Sequence, residues 1–413
     1  MSEERYSAAG GRAPAVIAAL LIGATLLNYI DRQMLAVLKP TLSAEFGWSN
    51  SDFAHLGSLF QFATALSYIG VGWFLDRFGI RTAYAGGVAL WSLAAAAHGF
   101  AAHMREFVVA RIALAIGESI NTPALLKTIA TDVKPSLRGP LLAIVNAAPN
   151  LGAIATPLLI PPLALIIGWR ATFVCVGVLG FVWIAVWLMV RKDGPQDRAP
   201  TATATGGGWA ALTTRPALAI IGAKALFDHV WWFLLFWTPA FFNQTFGLNQ
   251  AQIGGPTALA FSFAALGALS TGAAPFLLRR LGVSEGRVRP VAMFLYALII
   301  LPIGLAAQAG GPWIAACLIG LALFAHQGFS TNVFAFAAER VDAQNMGKVI
   351  AAGALAGNLS GMAIIEAAGF SLDNGFGYGP IFAIASVAYF AALAWMFAVG
   401  GFRASGPATA APQ

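Results

Sequence analysis

Charge is what this sequence has least of. Asp, Glu, Lys and Arg make up 10% of its 413 residues, against about 25% in an average soluble domain. With 59% of the chain hydrophobic, that deficit excludes a water-soluble protein with an ordinary surface and points to a chain that lives in lipid. Cysteine is nearly absent as well. Cys175 and Cys317 both lie in apolar runs, so no disulfide framework is available. The constellations of enzymes are missing too: no metal-ligand cluster, no phosphate-binding loop, no nucleophile triad. GESIN (117–121) has the wrong order for a G-x-S-x-G turn and falls in a helix. The expectation is a protein that is not an enzyme, with no metal and no cofactor. The net charge of +7 would suggest nucleic acid in a soluble domain. In a membrane chain it follows from Lys and Arg collecting in cytoplasmic loops, so nucleic acid is not an expected partner.

What the chain has is apolar runs. They recur at about 14–38, 52–75, 81–102, 106–130, 138–165 and 169–190, then at about 217–243, 250–278, 289–308, 312–338, 345–370 and 378–402. Each is long enough to cross a bilayer, which takes about 20 residues. The break between the sets, RKDGPQDRAPTATATGGGWAALTTRP, is rich in Pro, Gly, Thr and charge and reads as a linker. The expected fold class is therefore an all-α membrane protein of 12 transmembrane helices in two pseudo-symmetric six-helix halves. The expected domains are a bundle at 1–190, a cytoplasmic linker at 191–216, a second bundle at 217–403 and a tail at 404–413. Arg12 before an apolar run mimics a signal peptide, but Asp31 and Arg32 near the end of that run argue for a retained first helix.

Orientation follows from the basic residues. With both termini inside, cytoplasmic segments hold 18 of them, and the outside holds only Lys39, Arg105 and Arg170. The remaining three, Arg32, Arg111 and Lys224, are embedded in the membrane. GWFLDRFGIR (72–81) has a weaker echo in APFLLRRLGVSEGR (274–287), where Arg77 and Gly79 align with Arg280 and Gly282, and Arg279 replaces Asp76. Two related halves suit a transporter that rocks about a substrate held between them.

The embedded charges are the candidate chemistry. A charge at helix-centre depth costs roughly 2.5–3.5 kcal/mol on insertion scales, so adjacent Asp31 and Arg32, preceded by Asn28 and Tyr29, must face protein or water. Arg32 is the candidate substrate anchor, because a guanidinium stays charged and can hold a carboxylate bidentately; the alternative is an internal pair with Asp31. Arg111 and Glu118 stand seven apart, two turns along one helix face. Glu118, set among apolar neighbours near a cation, is the carboxylate whose charge state should respond most to its surroundings; the alternative is a structural Arg111–Glu118 pair. Lys224 and Asp228, four apart, either neutralise each other or border the cavity. Trp232, in a run of aromatics, suits a sugar ring, although such residues also form packing and interfacial belts. Asn146, Asn150, His326, Gln327 and Asn332 are polar groups in apolar surroundings. They are either interhelical hydrogen-bond partners or readers of a hydroxylated substrate, and a lone His such as His326 fits the structural role better. Glu366 is expected to reach the outer water.

At this point the residues resemble a known family. Gly72, Asp76, Arg77, Gly79 and Arg81 form G-x-x-x-D-R-x-G-x-R, which is similar to the loop signature of the major facilitator superfamily. That resemblance implies a gating latch at helix ends built from Asp76, Arg77 and Arg81. NYIDRQ (28–33), the set Arg111, Glu118, Asn121, Pro123 and Lys127, NAAPNLGAIATP (146–157), DHVWWFLLFWTPAFF (228–242) and AHQGFSTNVFAF (325–336) resemble the anion:cation symporters, and within them hexuronate transporters. TDVKP (131–135), ERVDAQNMG (339–347) and Phe329 depart from the pattern, at cytoplasmic ends where gating or substrate subclass would be affected. The resemblance implies that Arg32 binds the substrate carboxylate with Tyr29 beside it. It also implies that Asp31 and Glu118 take up the co-transported H+, with Arg111 tuning or pairing with Glu118.

The expected function is proton-coupled import of an organic anion, a hexuronate or related sugar acid, by a monomer in the inner (cytoplasmic) membrane. The alternative is an anion exchanger for sugar phosphates, dicarboxylates or other carboxylates, which would commit two cavity arginines to substrate. Drug export fits less well, since an arginine in the first helix favours anions. A sensor would be expected to carry a sizeable output domain, and the linker spans only about 26 residues.

Overall fold

Each apolar run becomes one helix, because in lipid a backbone satisfies its polar groups only internally. The computed structural model describes residues 14–192, 209–400 and 402, and every regular element among them is helical. The long helices of the first half are α1 (Pro14–Val37), α2 (Asn50–Phe78), α3 (Ile80–His98), α4 (Met104–Asp132), α5 (Pro135–Ile167) and α6 (Trp169–Val190). Those of the second are α7 (Arg215–Phe246), α8 (Gly254–Arg280), α9 (Glu285–Gln308), α10 (Pro312–Arg340), α11 (Ala343–Asp373) and α12 (Gly379–Gly400). Eleven are long and apolar enough to span a membrane; α3, with Arg81 and His98 near its ends, is the least apolar. A short helix, Lys39–Phe46, follows α1 and was not apparent in the apolar pattern. Residues 193–208 of the expected linker and 404–413 of the tail lie outside the described residues, as do Arg5, Arg12, Arg198 and Arg403.

Two irregularities shape the interior. In α4 the helix is interrupted at Ser119–Ile120, between Met104–Glu118 and Asn121–Asp132. Pro123 explains the break: it has no N–H to give the carbonyl four residues back, and its ring crowds that carbonyl, which belongs to Ser119. The ladder therefore opens directly after Glu118. Gly79 (φ +77°) and Gly282 (φ +81°) turn the chain between α2 and α3 and between α8 and α9. These are the two glycines aligned by the internal echo, and each adopts a left-handed backbone that L side chains resist.

The halves meet tightly at one end. There the Asp373 carboxylate on α11 accepts from the backbone N–H groups of Asn50 (3.0 Å) and Ser51 (2.8 Å) at the start of α2, where a helix dipole favours an anion. Asn50 Oδ1 accepts from Lys39 Nζ (2.9 Å) and Gln244 Nε2 (2.7 Å). One turn in, Glu366 lies 2.9 Å from His55 Nδ1 and accepts from Ser58. The expectation that Glu366 simply reaches water is corrected: it ties α11 to α2. Toward the opposite end, where Arg77 and Lys127 lie, a cavity separates the halves.

Candidate functional site

The cavity, about 250 Å³, is walled by α1, α2, α4 and α5 on one side and α7, α10 and α11 on the other. Its first-half wall is built around Arg32. The guanidinium donates to Glu118 Oε2 from Nε (3.1 Å) and Nη2 (3.0 Å), across 86 residues of sequence. The rings of Tyr29, Phe60 and Trp232 surround it, with centroids 5.2–5.5 Å from its central carbon. The break after Glu118 leaves that carboxylate on the wall, its Oε1 buried and Asn28 beside it. Asn28, Tyr68 and Asn121 line the same side. Asn121 also accepts from Tyr84 Oη (2.6 Å) and faces Thr25 (3.4 Å), locking α4 to α3 and α1.

Neither alternative pairing weighed for these charges forms. Arg32 does not pair with its neighbour Asp31, and Glu118 does not pair with Arg111. Asp31 is buried and does not line the cavity. Arg111 donates to the Arg32 carbonyl (3.0 Å) and lies 4.7 Å from the Phe60 ring, its Nε and Nη1 without hydrogen-bond partners among the described residues. Seven residues of helix rise about 10 Å, too far for Arg111 to reach Glu118 along one face, and Arg32 enters from α1 to take that carboxylate. Phe60 then lies between two guanidiniums.

The second-half wall carries Lys224, Asp228 and Trp232 of α7, Phe334 of α10, and Ile350, Ala354 and Asn358 of α11. Lys224 Nζ pairs with Asp228 Oδ2 at 2.6 Å. Asn146 lies exposed at the mouth. Asn150, farther from the mouth on α5, accepts from Gln327 Nε2 (2.9 Å), a bond between the halves. His326 bonds Tyr389 Oη (2.7 Å) and stacks on Trp231, and Asn332 donates to the Gly328 carbonyl of its own helix (2.8 Å). Neither belongs to the cavity wall among the described residues. Of the expected substrate-contact residues, the fold thus gathers Arg32, Tyr29, Asn146 and Trp232 around the cavity. It adds Tyr68 and Asn358, which carried no sequence signal beyond their polarity.

The expected latch residues lie at the open end. Asp76 accepts from Lys127 Nζ (2.5 Å), and Arg81 donates to the Leu188 carbonyl (3.0 Å), contacts within the first half; Arg77 is exposed. In the second half Arg279, which replaces Asp76 in the echo, pairs with Glu285.

A cavity between two six-helix halves, closed at one end and open at the other, is the geometry of an alternating-access carrier. Residues 21–365 match the model of the Major Facilitator Superfamily. The chain belongs to that superfamily. It is a multi-pass membrane transporter. Among relatives, the probable L-galactonate transporter of Escherichia coli (strain K12) is 29% identical over 325 residues, 74% of this chain and 71% of the relative. The hexuronate transporter of the same strain is 25% identical over 394 residues, 90% of each chain. A bacterial homologue of the human lysosomal transporter Spinster, solved in an inward-facing and unoccupied conformation, superposes with a TM-score of 0.73 at 18% identity, covering 95% of this chain and 97% of that one. That likeness extends to the fold.

Proposed function

We propose that this transporter imports an organic anion, a hexuronate or related sugar acid, together with protons. The observation that carries the reading is the buried Arg32–Glu118 pair on the cavity wall. A buried ion pair that only stabilised the fold would gain little over apolar packing. Here one partner can be neutralised by a proton, and the other can then take a different carboxylate. Protonation of Glu118 frees the Nε and Nη2 donors of Arg32, which match a carboxylate bidentately. Anion binding is thereby tied to proton binding. Asp31, buried next to Arg32 in the chain and off the cavity wall, supplies a second protonation site. Opening of the sealed end admits both ligands, and rocking back to the form with that end closed releases them on the basic face. The excess of Lys and Arg supports a cytoplasmic assignment for that face with both termini inside, and the reading is of a monomer in the cytoplasmic membrane. With a monoanion and two protons the cycle carries net positive charge inward.

Related geometry bears on the exchange alternative. Exchange of doubly charged anions calls for two arginines on the cavity wall, and Arg111 is buried behind Arg32. The test is uptake of labelled glucuronate or galacturonate into proteoliposomes under an imposed inward proton gradient, beside galactonate, a dicarboxylate and a sugar phosphate. Gradient-driven uptake of sugar acid, lost in Arg32→Ala and uncoupled from the gradient in Glu118→Gln, is the expected result. Uptake that ignores the gradient and requires internal anion would overturn proton coupling. A proton-to-monoanion ratio of one or below would overturn the two-proton cycle.

A further inference from the structure

Facing Arg32 across the cavity is a second pair of charges that the mechanism above leaves idle. Lys224, Asp228 and Trp232 stand four residues apart and so form one line along α7. Opposite them α11 carries Gly353, Gly357 and Gly361 at the same spacing. A Cβ on these glycines would lie closer than 3.0 Å to Lys224 Cδ, Asp228 Oδ2 and Trp232 Cδ1 respectively. Each side chain is laid over a stretch of bare backbone and held sideways along the wall. Glycine is the least favourable residue for a helix interior after proline, and here three of them in register serve three side chains that line the cavity. Beside them the Asn358 Oδ1 is buried and has no hydrogen-bond partner among the described residues, while its amide donates to the Ala354 carbonyl (2.8 Å).

We propose that Lys224 and Asp228 form a second substrate subsite that reads hydroxyl groups at the end of the substrate remote from its carboxylate. This rests on the anion-transport reading, which assigns the carboxylate to Arg32. The pair is electrically matched: Nζ and Oδ2 stand 2.6 Å apart, so the wall offers no free positive charge to a second anion. A second carboxylate drawn to Lys224 would confront Asp228. A hydroxyl both donates and accepts. It can give its proton to Asp228 or to the Asn358 oxygen and accept from Lys224, leaving the pair intact. Trp232 joins the two subsites, since it is one turn from Asp228 and its ring centroid is 5.5 Å from the Arg32 guanidinium carbon. A hydroxylated chain or ring lying across that indole would place its carboxylate on one wall and its hydroxyls on the other.

The test compares uptake of three labelled six-carbon acids by the full-length protein in proteoliposomes: galactonate, its 6-deoxy analogue, and the corresponding dicarboxylate galactarate. The parent is expected to favour galactonate over the deoxy acid by tenfold or more in kcat/KM. In the doubly neutral Lys224→Met/Asp228→Asn variant that ratio should fall toward one through a rise in KM for galactonate. Uptake of the deoxy acid and its dependence on the proton gradient should persist. Gly357→Ala, which displaces Asp228 without removing a charge, should move the ratio in the same direction and stands in if the double variant fails to insert. A ratio unchanged in inserted, active variants would overturn the subsite while leaving anion transport standing. Preference of the parent for galactarate would overturn the hydroxyl assignment. Absence of Arg32-dependent uptake of any acid would overturn the anion reading and the subsite with it.

Discussion

Arg32 is held at its place by three aromatic rings and one carboxylate, and its replacement should separate charge from shape. Arg32→Lys keeps the charge but loses the planar fork that donates through Nε and Nη2. Charge-assisted hydrogen bonds are worth about 1.5–3 kcal/mol, so KM for the sugar acid should rise roughly 10- to 100-fold with insertion unchanged, measured by initial uptake rates. Arg111 should behave differently, because it does not touch the cavity. Arg111→Gln removes the guanidinium that donates to the Arg32 carbonyl and lies against the Phe60 ring, and a hydrogen bond from a charged donor is worth about 1.5–3 kcal/mol. Its thermal unfolding temperature in detergent should fall, and that of Arg111→Lys, which keeps a charged donor, should fall less. These residues also mark what the sequence could reveal. An arginine inside an apolar run is visible without a structure, because lipid tolerates it only for a reason. Its partner is not visible: which of Asp31, Arg111 and Glu118 meets Arg32 depends on how α1 and α4 are rotated against each other, and no spacing along one helix encodes that.

At the scale of the element, the sequence spoke clearly where a local rule applied. Twelve apolar runs gave twelve helices, and Pro123 accounts for the break that presents Glu118. The short helix Lys39–Phe46 escaped the apolar pattern because it is polar and only eight residues long. The glycine line on α11 escaped for another reason: its meaning depends on the helix that faces it. The short helix carries a prediction. Burial lowers the Lys39 pKa to about 8, against the opposing pull of Asp373; the rings of Phe53 and Trp237 lie 5.3 and 5.5 Å from its ammonium. Were the sealed end to open, Lys39 would return toward its ordinary value near 10.4. The sealed state therefore holds its proton less firmly. Its advantage from this group is complete above about 10.4 and disappears as pH falls through about 8, at about 1.4 kcal/mol for each unit of difference. Raising pH from 8 to 10 should increase the sealed fraction, followed by the distance between spin labels on the ends of α2 and α11. Lys39→Met should remove the pH dependence and leave the sealed state favoured throughout.

For the whole molecule, the two halves were readable from an imperfect echo whose glycines turned out to share a left-handed backbone. Which end of the cavity is closed was not readable, because one sequence must serve both states. The seal combines packing with a cluster of hydrogen bonds centred on Asp373. Asp373 receives three hydrogen bonds from Asn50 and Ser51, and Asp373→Asn weakens all of them at once. A loss of about 1.5–3 kcal/mol should shift the population toward the form open at that end roughly 10- to 100-fold, visible as faster labelling of a cysteine placed there.

The same closure sets how dilute a solute the carrier can bind from the sealed side. A solute arriving at the sealed side meets only the fraction of molecules that have released α2 from α11, and its apparent dissociation constant is the intrinsic one divided by that fraction. Firmer closure would thus make the cell less sensitive to dilute solute with every contact in the cavity unchanged. Scavenging threshold and cavity chemistry can then be adjusted separately, at residues lying at opposite depths of the membrane.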